Sequence, residues 1–570
     1  MPPLLLSIAN RLSLRETLAQ RRLVRLAPVA AFHLVALAVM LWSELGPLNM
    51  AVFALSWGLV NCFWLVLLRR PALSAALSFA LLVVLIVVSR FKFDVLWMTL
   101  SFIDVMIVDA DTFAFLLQMF PKVQTAAIVA AVLFVPLAFI LWSIDPFRIP
   151  RARAALAGAG CLVGIIGLSF VEPVSPGAAF GNENYVSHFA RTGVDAIAAY
   201  YQGGFLESEP GAGERLHEGI GSCQTTDGRP HIILVHDESS FDIRAVDGVK
   251  VPPGYGRHFL SFDGKARKFL VEGAGGPSWF TEYNVLSGLS SRSYGRFQFF
   301  VTRIAAGRVE RGLPRTLARC GYRTHAIYPV NGGFLAAGSY YRGAGVEDFI
   351  DGRVLGGRIF EPDQFYFDAA ARMIGRERAN GPMFLYVYLT ANHFTWDYTF
   401  RPELTPLGWR NPGNAMPEVN EFLRRQAMSE RDYREFLARL ERDFPGEPFL
   451  IVRYGDHQPD FAKLIIDPSA DAWEVGRRLM SFDPRYYTTY YAIDAVNFRP
   501  AVLASALDVL DSPYLPLVVQ EAAGLPLDPS FAEQKRILAR CNGLFYGCAG
   551  GAEARRFNRM LINAGLIKGL

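Results

Sequence analysis

The stretch His231-Ile-Ile-Leu-Val-His-Asp-Glu-Ser239 is an apolar run that ends in acids, and Phe449-Leu-Ile-Val-Arg-Tyr-Gly-Asp-His457 repeats the pattern far along the chain. Short apolar runs bounded by polar residues are typical of buried β-strands. The carboxyl ends of strands form the ligand crevice of an open parallel sheet. Two distant stretches therefore bring carboxylate and imidazole groups to one edge of a predicted sheet, where they suit a divalent cation.

Between these stretches lies the turn sequence Gly275-Gly-Pro-Ser278, whose serine is a candidate nucleophile. A hydroxyl held against a divalent cation loses its proton more easily. In isolation this sequence is typical of a turn and needs no further role. Thr281 is the alternative nucleophilic hydroxyl. Glu238 alone is equally consistent with a capping or salt-bridged acid, and Asp237 is the alternative ligand. The prediction depends on these residues meeting in the fold.

The first part of the chain is much more apolar than the rest. Hydrophobic residues make up 52% of the 570, and the excess lies before about residue 172. Apolar stretches in this part are long enough to cross about 30 Å of hydrocarbon. The five predicted spans are 26–44, 50–68, 72–89, 125–143 and 154–171. This pattern argues against an ordinary soluble enzyme and predicts an N-terminal α-helical membrane domain of about five transmembrane helices.

Arginine clusters predict the orientation of these spans, because cytoplasmic loops carry an excess of positive charge. The three clusters are Arg11, Arg15, Arg21, Arg22 and Arg25; Arg69 and Arg70; and Arg148, Arg151 and Arg153. Five spans that start inside leave everything after about residue 172 outside. We therefore expect a multi-pass protein of the bacterial inner membrane, with its second half facing the periplasm or exterior.

The stretch 95–120 is apolar but carries Asp104, Asp109 and Asp111. Each acid would cost about 2.5–3.5 kcal/mol at the centre of a bilayer. A span here would also break the arginine pattern. We therefore predict interfacial helices near 95–120. A sixth span with functional acids, as in a transporter, is the alternative.

The rest of the chain alternates apolar strand-like runs with helical segments, including a polar helix over 416–443. The predicted strands are 231–236, 323–329, 384–390 and 449–454. This alternation predicts an α/β domain with a mostly parallel sheet. The predicted organisation is a membrane domain over 1–172, a linker over 173–222 and a catalytic domain over 223–570.

Cysteine usage fits an outward-facing second half. Two of the six cysteines lie in predicted spans and four lie in the outward part, where disulfides persist. Four cysteines allow three pairings. We favour Cys541 with Cys548 and Cys223 with Cys320, and buried free thiols are the alternative. A zinc site built from cysteines is not expected, because no Cys-x-x-Cys spacing occurs.

Together these motifs resemble the lipoteichoic acid synthase and phosphoethanolamine transferase group of the alkaline phosphatase/sulfatase superfamily. The run Ser278-Trp-Phe-Thr-Glu-Tyr-Asn-Val-Leu-Ser-Gly288 follows the synthase pattern of a hydroxyl residue, then Glu, then Leu-Thr-Gly. Asp456 and His457 match the family's Asp-His metal pair, and Asn392-His393 matches its phosphate-contacting histidine. The resemblance implies five spans, an interfacial helical stretch and an outward sulfatase-like α/β domain.

The resemblance also implies a site. A divalent metal, Zn²⁺ or Mn²⁺ with Mg²⁺ as the alternative, would be held by Glu238, Ser278, Asp456 and His457. Ser278 would be the catalytic nucleophile. The implied substrate-binding residues are Asn392, His393 and Glu282.

The implied reaction moves a phosphate-linked headgroup from a membrane phospholipid to an envelope glycan or lipid acceptor through a phosphoserine-type intermediate. Phosphatidylglycerol is the favoured donor, because the Ser278 motif follows the synthase branch. A phosphoethanolamine transferase that acts on lipid A or a glycan, with phosphatidylethanolamine as donor, is one alternative. A membrane-anchored phosphodiesterase or sulfatase-like hydrolase is another, although the sulfatase Cys/Ser-x-Pro-x-Arg string is missing around Ser278. No nucleic-acid partner is expected.

Three features depart from the family. Serine replaces the synthase threonine, and the residue before Glu238 differs from the usual one. The segment Phe334-Leu-Ala-Ala337 lacks the synthase Trp and Arg that hold glycerol phosphate, and Arg342, a few positions on, is a loose substitute. The headgroup therefore stays open. Three further histidines are expected to be hydrogen-bonded structural residues: His231, His236 and His325.

Overall fold

The computed structural model describes residues 26–570, except 107–108, 175, 210–212, 217–222 and 224–227. The arginines predicted to precede the first span lie outside the described residues, as do parts of the predicted linker. The described residues form two compact units. One comprises 26–106 and Leu116–Tyr201, and the other comprises Asp109–Phe115 and Gln202–Leu570.

Long apolar helices form the first unit. The helices up to residue 203 are α1 (Leu26–Ser43), α2 (Pro47–Leu68), α3 (Pro71–Leu96), α4 (Ala110–Met119), α5 (Pro121–Ile144), α6 (Arg151–Val171) and α7 (Tyr185–Gly203). Proline stands in the first turn of α2, α3 and α5, where its missing N–H costs nothing. Among the described residues, α1, α2, α3, α5 and α6 are long and apolar enough to cross a membrane, which confirms the predicted five.

The stretch predicted to be interfacial contains α4 and a short 3-10 turn over Phe102–Met106. At 10 residues, α4 is about 15 Å long, roughly half the thickness of the hydrocarbon. It therefore does not cross the membrane by itself, and its place at the interface stays a prediction.

Small residues bring α2 and α6 together. A Cβ added at Gly158 of α6 would lie 3.0 Å from the Cβ of Cys62 in α2. Small residues at such positions let apolar helices approach closely, which is how helices associate in lipid.

The second unit is built on one eight-stranded sheet. Its strands are β1 (His231–Asp237), β2 (Arg267–Leu270), β3 (Arg323–Ile327), β4 (Asp348–Ile350), β5 (Met383–Tyr388), β6 (Phe449–Gly455), β7 (Thr488–Val496) and β8 (Val509–Asp511). Their order is β4-β3-β5-β1-β6-β7-β2-β8. The first five of these are parallel to one another, and β7 runs antiparallel to β6 and β2. The predicted α/β class and mostly parallel sheet are confirmed.

Helices cover both faces of this sheet. They are α8 (Ser278–Ser287), α9 (Val301–Ala305), α10 (Leu313–Arg319), α11 (Ala337–Ala344), α12 (Gly352–Leu355), α13 (Asp363–Glu377), α14 (Pro417–Asp443), α15 (Ala462–Ile466), α16 (Ala472–Met480), α17 (Pro484–Tyr487), α18 (Leu515–Ala522), α19 (Pro529–Cys541) and α20 (Ala552–Asn563). The helix predicted over 416–443 is α14.

Alternation along β1 sorts its side chains between the two faces of the sheet. Ile233 and Val235 are fully buried in a core cluster with residues of α13 and α14. Side chains at even positions, including His236, point to the opposite face. Burying a side chain of this size contributes about 1.5–3 kcal/mol, so this core fixes which face His236 presents.

Both favoured disulfides form. Cys223 pairs with Cys320, with their Cα atoms 5.1 Å apart, and Cys541 pairs with Cys548, with Cα atoms 5.6 Å apart. The pairing predicted from the sequence is confirmed.

Candidate active site

The carboxyl ends of β1 and β6 lie side by side and position two acids. Asp237 is the register partner of Gly455, so Glu238 and Asp456 leave the sheet together. Position 455 requires glycine, because an added Cβ would lie 1.8 Å from the carbonyl oxygen of Ser240. Glu238 is 2% exposed and Asp456 is wholly buried. Burying two carboxylates so close together is costly unless cations or protons balance them.

Ser278 is the first residue of α8 and faces this pair of acids. Its hydroxyl donates to Glu238 Oε2 at 3.2 Å and lies 3.1 Å from His457 Nε2. The start of a helix favours negative charge, because its N–H groups are unsatisfied there. Both an alkoxide at Ser278 and a phosphate in front of it would benefit from this position.

His457 presents one defined nitrogen to the acids. Its Nδ1–H donates to the carbonyl oxygen of Gln458 at 2.8 Å, which leaves Nε2 as the inward nitrogen. Nε2 lies 3.3 Å from Glu238 Oε1 and 3.3 Å from Asp456 Oδ2. Burial opposes a charge on this ring, but the two carboxylates outweigh it and raise the pKa of His457 to about 9.

His236 also faces the acids, although the sequence reading gave it a structural role. Its Nε2 lies 3.1 Å from Asp456 Oδ2 and 3.7 Å from Glu238 Oε2. The three side chains form a group that is able to hold a metal ion. Burial lowers the pKa of His236, but the same carboxylates outweigh it and raise the pKa to about 10.

The donor atoms of the predicted ligand set fit a small divalent cation. Four of their separations are 3.1, 3.2, 3.3 and 3.3 Å. Tetrahedral zinc, with bonds of about 2.0–2.1 Å, places its ligand atoms about 3.3 Å apart. Asp456 Oδ2 is buried and finds no hydrogen-bond partner among the described residues. Glu238, Ser278, Asp456 and His457 thus fit the metal that the sequence implied.

The Asn392-His393 loop brings a further imidazole to the site. His393 Nδ1–H donates to the carbonyl oxygen of Phe394 at 2.9 Å, and its ring stacks on Phe360 with centroids 3.9 Å apart. Burial lowers the pKa of His393, while the charge of Glu238 opposes that shift. The amide of Asn392 is 1% exposed and has no hydrogen-bond partner in the described part of the chain. Both residues are therefore available to a ligand.

Arg425 holds this loop in place. It is 1% exposed and donates to the carbonyl oxygens of His393 and Thr395, at 2.7 Å each. Glu421 accepts from Arg425 Nε at 2.7 Å. Sequence reasoning missed Arg425, because nothing in the pattern of α14 shows which loop it reaches.

Three other residues from the sequence reading have defined partners. Asp237, the alternative ligand, pairs with His258 Nε2 at 2.9 Å. Thr281, the alternative nucleophile, donates to the backbone carbonyl of Asp456 at 2.7 Å. Glu282 accepts from the Tyr341 hydroxyl at 2.6 Å, and burial raises its pKa to about 7. A direct role for Glu282 in substrate binding stays a prediction.

The segment that lacks the synthase Trp and Arg lies beside the nucleophile. The ring of Phe334 meets the ring of Trp279 edge-on, with centroids 6.5 Å apart. Leu335 and Ala336 adopt left-handed backbone angles, with φ of 47° and 58°, which are uncommon for non-glycine residues. The segment therefore brings an apolar ring against Trp279, the residue that follows Ser278.

Part of this site lies in a stretch that matches a known family model. The sulfatase family model matches residues 280–478, a stretch that includes Asn392, His393, Asp456 and His457. No curated protein sequence matches the chain. Residues 280–478 are thus similar to the sulfatase family, which agrees with the superfamily recognised from the motifs and with the expectation of an enzyme.

The solved structures that are similar to this chain include a lipoteichoic acid synthase and two transferases. Lipoteichoic acid synthase LtaP from Listeria monocytogenes is 15% identical with a TM-score of 0.38, and covers 56% of this chain and 75% of its own. Phosphoglycerol transferase GacH from Streptococcus pyogenes is 15% identical with a TM-score of 0.46, and covers 60% and 87%. Lipooligosaccharide phosphoethanolamine transferase EptA from Neisseria meningitidis is 12% identical with a TM-score of 0.42, and covers 80% and 87%. Likenesses this distant leave the substrate open.

Proposed function

We propose that this protein is a membrane-bound phosphotransferase that moves a phosphate-linked headgroup from a phospholipid to an envelope glycan or lipid. The observation that carries the proposal is the position of the Ser278 hydroxyl, within hydrogen-bond distance of both Glu238 and His457 at the start of a helix. Phosphoglycerol is the favoured headgroup, because the motif that begins at Ser278 follows the synthase pattern. Phosphoethanolamine is the second candidate.

In the first half-reaction Ser278 Oγ attacks the phosphorus of the donor lipid. A bond forms between Oγ and phosphorus, and the bond between phosphorus and the diacylglycerol oxygen breaks. The proton that Ser278 gives up balances the proton that the leaving oxygen takes. Glu238 Oε2 accepts from the serine hydroxyl and is the first group placed to receive that proton.

His393 in its imidazolium form carries a proton on Nε2 that it can deliver to the leaving oxygen, and the negative charge of Glu238 favours that form. Its Nδ1 is occupied by the Phe394 carbonyl, so Nε2 is the nitrogen that exchanges a proton. In the second half-reaction the acceptor hydroxyl gives its proton to this nitrogen and attacks phosphorus. Ser278 then leaves and regains its proton, which completes a ping-pong cycle.

A bound Zn²⁺ or Mn²⁺ would supply Lewis acidity, which lowers the pKa of the serine hydroxyl and offsets phosphate charge. Glu238, Asp456, His457 and the Ser278 oxygen would hold it. Ser239 supports this set, because its backbone N–H donates to Asp456 Oδ1 at 2.7 Å and its hydroxyl donates to Glu238 Oε1 at 2.8 Å. Such supporting hydrogen bonds orient ligands for binding.

We place the catalytic domain on the outer face of the bacterial inner membrane. The two disulfides support this location, because disulfides persist outside the cytoplasm. Anchoring keeps the enzyme in the membrane that contains its lipid donor, which raises the effective concentration of that donor.

The test measures diacylglycerol release by full-length protein in vesicles of phosphatidylglycerol or phosphatidylethanolamine. Wild type and Ser278→Thr, which keeps the hydroxyl, should release diacylglycerol, and Ser278→Ala should not. The donor that supports release identifies the headgroup. If Ser278→Ala releases diacylglycerol as fast as wild type, the proposal is wrong. If only a chromogenic phosphodiester is cleaved, the protein is a hydrolase.

A further inference from the structure

Two buried polar atoms in the site lie close together but make no hydrogen bond. His236 Nε2 and Asp456 Oδ2 lie 3.1 Å apart, and both side chains are fully buried. Neither atom makes a hydrogen bond to any residue that the structure describes. Leaving such an atom unsatisfied costs about 1–3 kcal/mol. The two atoms lie at ion-pair distance without a hydrogen bond, so both can also contact a third atom bound beside them.

The sheet holds the His236 ring rigidly in this orientation. Tyr388 and Tyr454 are its register partners on the two neighbouring strands. The Tyr388 ring stacks on the imidazole with centroids 3.8 Å apart. The hydroxyl of Tyr454 lies 3.0 Å from Nδ1, and that of Tyr386 lies 2.8 Å from it.

This clamp is compatible with the tautomer that a metal ligand needs, because a tyrosine hydroxyl accepts as well as donates. With Nδ1–H donating to a tyrosine oxygen, the neutral ring has its lone pair on Nε2, which faces the acids. Metal-bound histidines are held in the same way, with the outer N–H fixed by a hydrogen bond. Tyr388 also donates to Glu238 Oε2 at 2.7 Å, so one tyrosine orients both the ring and a predicted ligand.

We propose that His236 is an additional imidazole ligand of the metal centre, so that two histidines, two carboxylates and the Ser278 oxygen surround the cation. This inference rests on the proposed function only in that the site binds a metal. His236 lies outside the ligand set that the sequence resemblance implied. Its place two residues before Glu238, at the end of β1, puts both side chains on the same face of the sheet.

The second imidazole has a consequence for metal choice. Imidazole suits zinc, whereas carboxylate and water ligands suit magnesium and manganese. A neutral nitrogen in place of a water or a third oxygen therefore shifts the site toward Zn²⁺. The preference for Zn²⁺ over Mn²⁺ should fall when His236 is replaced.

The experiment counts imidazole ligands by X-ray absorption at the zinc edge. Full-length protein in detergent is stripped with a chelator and reloaded with one equivalent of Zn²⁺. Wild type should show two imidazoles and His236→Gln should show one. His231→Gln is the matched control, since this buried histidine begins the same strand, and it should show two. Competition with a chromogenic chelator should show zinc binding about 10–100-fold weaker in His236→Gln, with a smaller change for Mn²⁺.

A single imidazole in wild type would overturn the inference, and so would two in His236→Gln, because the second nitrogen would then come from another histidine. A single imidazole in wild type overturns the inference whether or not His236→Gln folds. Two imidazoles in a protein that releases no diacylglycerol would overturn the proposed function alone. Diacylglycerol release by a protein with one imidazole would overturn this inference alone.

Discussion

The two ends of strand β1 each carry a buried histidine beside an acid, yet their surroundings differ. At the amino end, His231 Nδ1 accepts from the Met383 backbone N–H at 3.2 Å, and Nε2 lies 3.4 Å from Glu447. The Glu447 side chain is 30% exposed, so water solvates and screens its charge. At the carboxyl end, His236 meets wholly buried acids and its Nε2 has no hydrogen-bond partner among the described residues.

The difference shows that neither histidine nor burial alone marks a functional site. A satisfied pair in contact with water contributes about 0–1 kcal/mol to stability. Unsatisfied buried atoms that converge require something to bind between them. We call the amino end of β1, at His231, the structural end, and the carboxyl end, at His236, the chemical end. This contrast predicts how variants at the two ends should differ.

The largest contrast is expected between Glu238→Gln and its control Glu447→Gln. Glu238→Gln removes a charge from the metal-binding group and should lower diacylglycerol release by at least about 10³-fold, because a Lewis acid supplies several kcal/mol to the barrier. Zinc content should fall with it. Glu447→Gln should leave both unchanged. Equal losses of diacylglycerol release in the two variants would show that the two ends of β1 do not differ in function.

The next effect concerns His393, which also lies at the chemical end. His393→Gln should slow release from a phospholipid by about 10²-fold, the usual contribution of a general acid. With a nitrophenyl leaving group, which departs without a proton, the loss should be much smaller. Rates with both substrates test this expectation. Equal losses would assign His393 to phosphate binding rather than proton transfer.

Sequence predicted the strands that build the site, because each has a long buried apolar run. It did not predict β2, β4 and β8, which are three or four residues long and have too few positions to show a period. The antiparallel β7 was missed as well. Its Thr- and Tyr-rich sequence, Thr488–Val496, shows no uniform apolar run.

The predicted ligands and nucleophile come together because strand ends and a helix start are local features that sequence shows. His236 was misread. Its signal was the spacing of two from Glu238 at a strand end, which places both on one face. The orientation of its ring depends on tyrosines from β5 and β6, and which strands lie next to β1 is known only from the fold.

A smaller effect is expected on the pH dependence of stability, and it comes from the buried acid Asp363. Asp363, which accepts from the Ala391 N–H, is 1% exposed. Burial, with the nearby charge of Asp237, raises its pKa from 3.8 to about 8. Between these values the folded state holds a proton that the unfolded state lacks, so stability falls as pH rises. Asp363→Asn should remove this loss. The stability of the variant relative to wild type should therefore rise by about 1 kcal/mol per pH unit between pH 6 and 8.

Thermal unfolding of the two proteins at pH 6, 7 and 8 checks this expectation. The gap between variant and wild type should widen with pH. A gap that stays constant would mean that Asp363 is ionised in the folded protein throughout.

The smallest effect is expected from His231→Gln. It replaces a neutral ring that accepts from the Met383 N–H and faces Glu447, contacts worth about 0.5–1.5 kcal/mol, and leaves the metal group intact. Thermal unfolding should shift slightly, and diacylglycerol release should stay at the wild-type rate. A large loss of release would show that the amino end of β1 is coupled to the chemistry.

The most direct test of the central claim is the intact mass of the full-length protein after incubation with metal and donor lipid. Wild type should gain the mass of phosphoglycerol, or of phosphoethanolamine, and fragmentation should place it on Ser278. Ser278→Ala should gain nothing. An adduct on another residue, or an equal adduct on Ser278→Ala, would contradict the account.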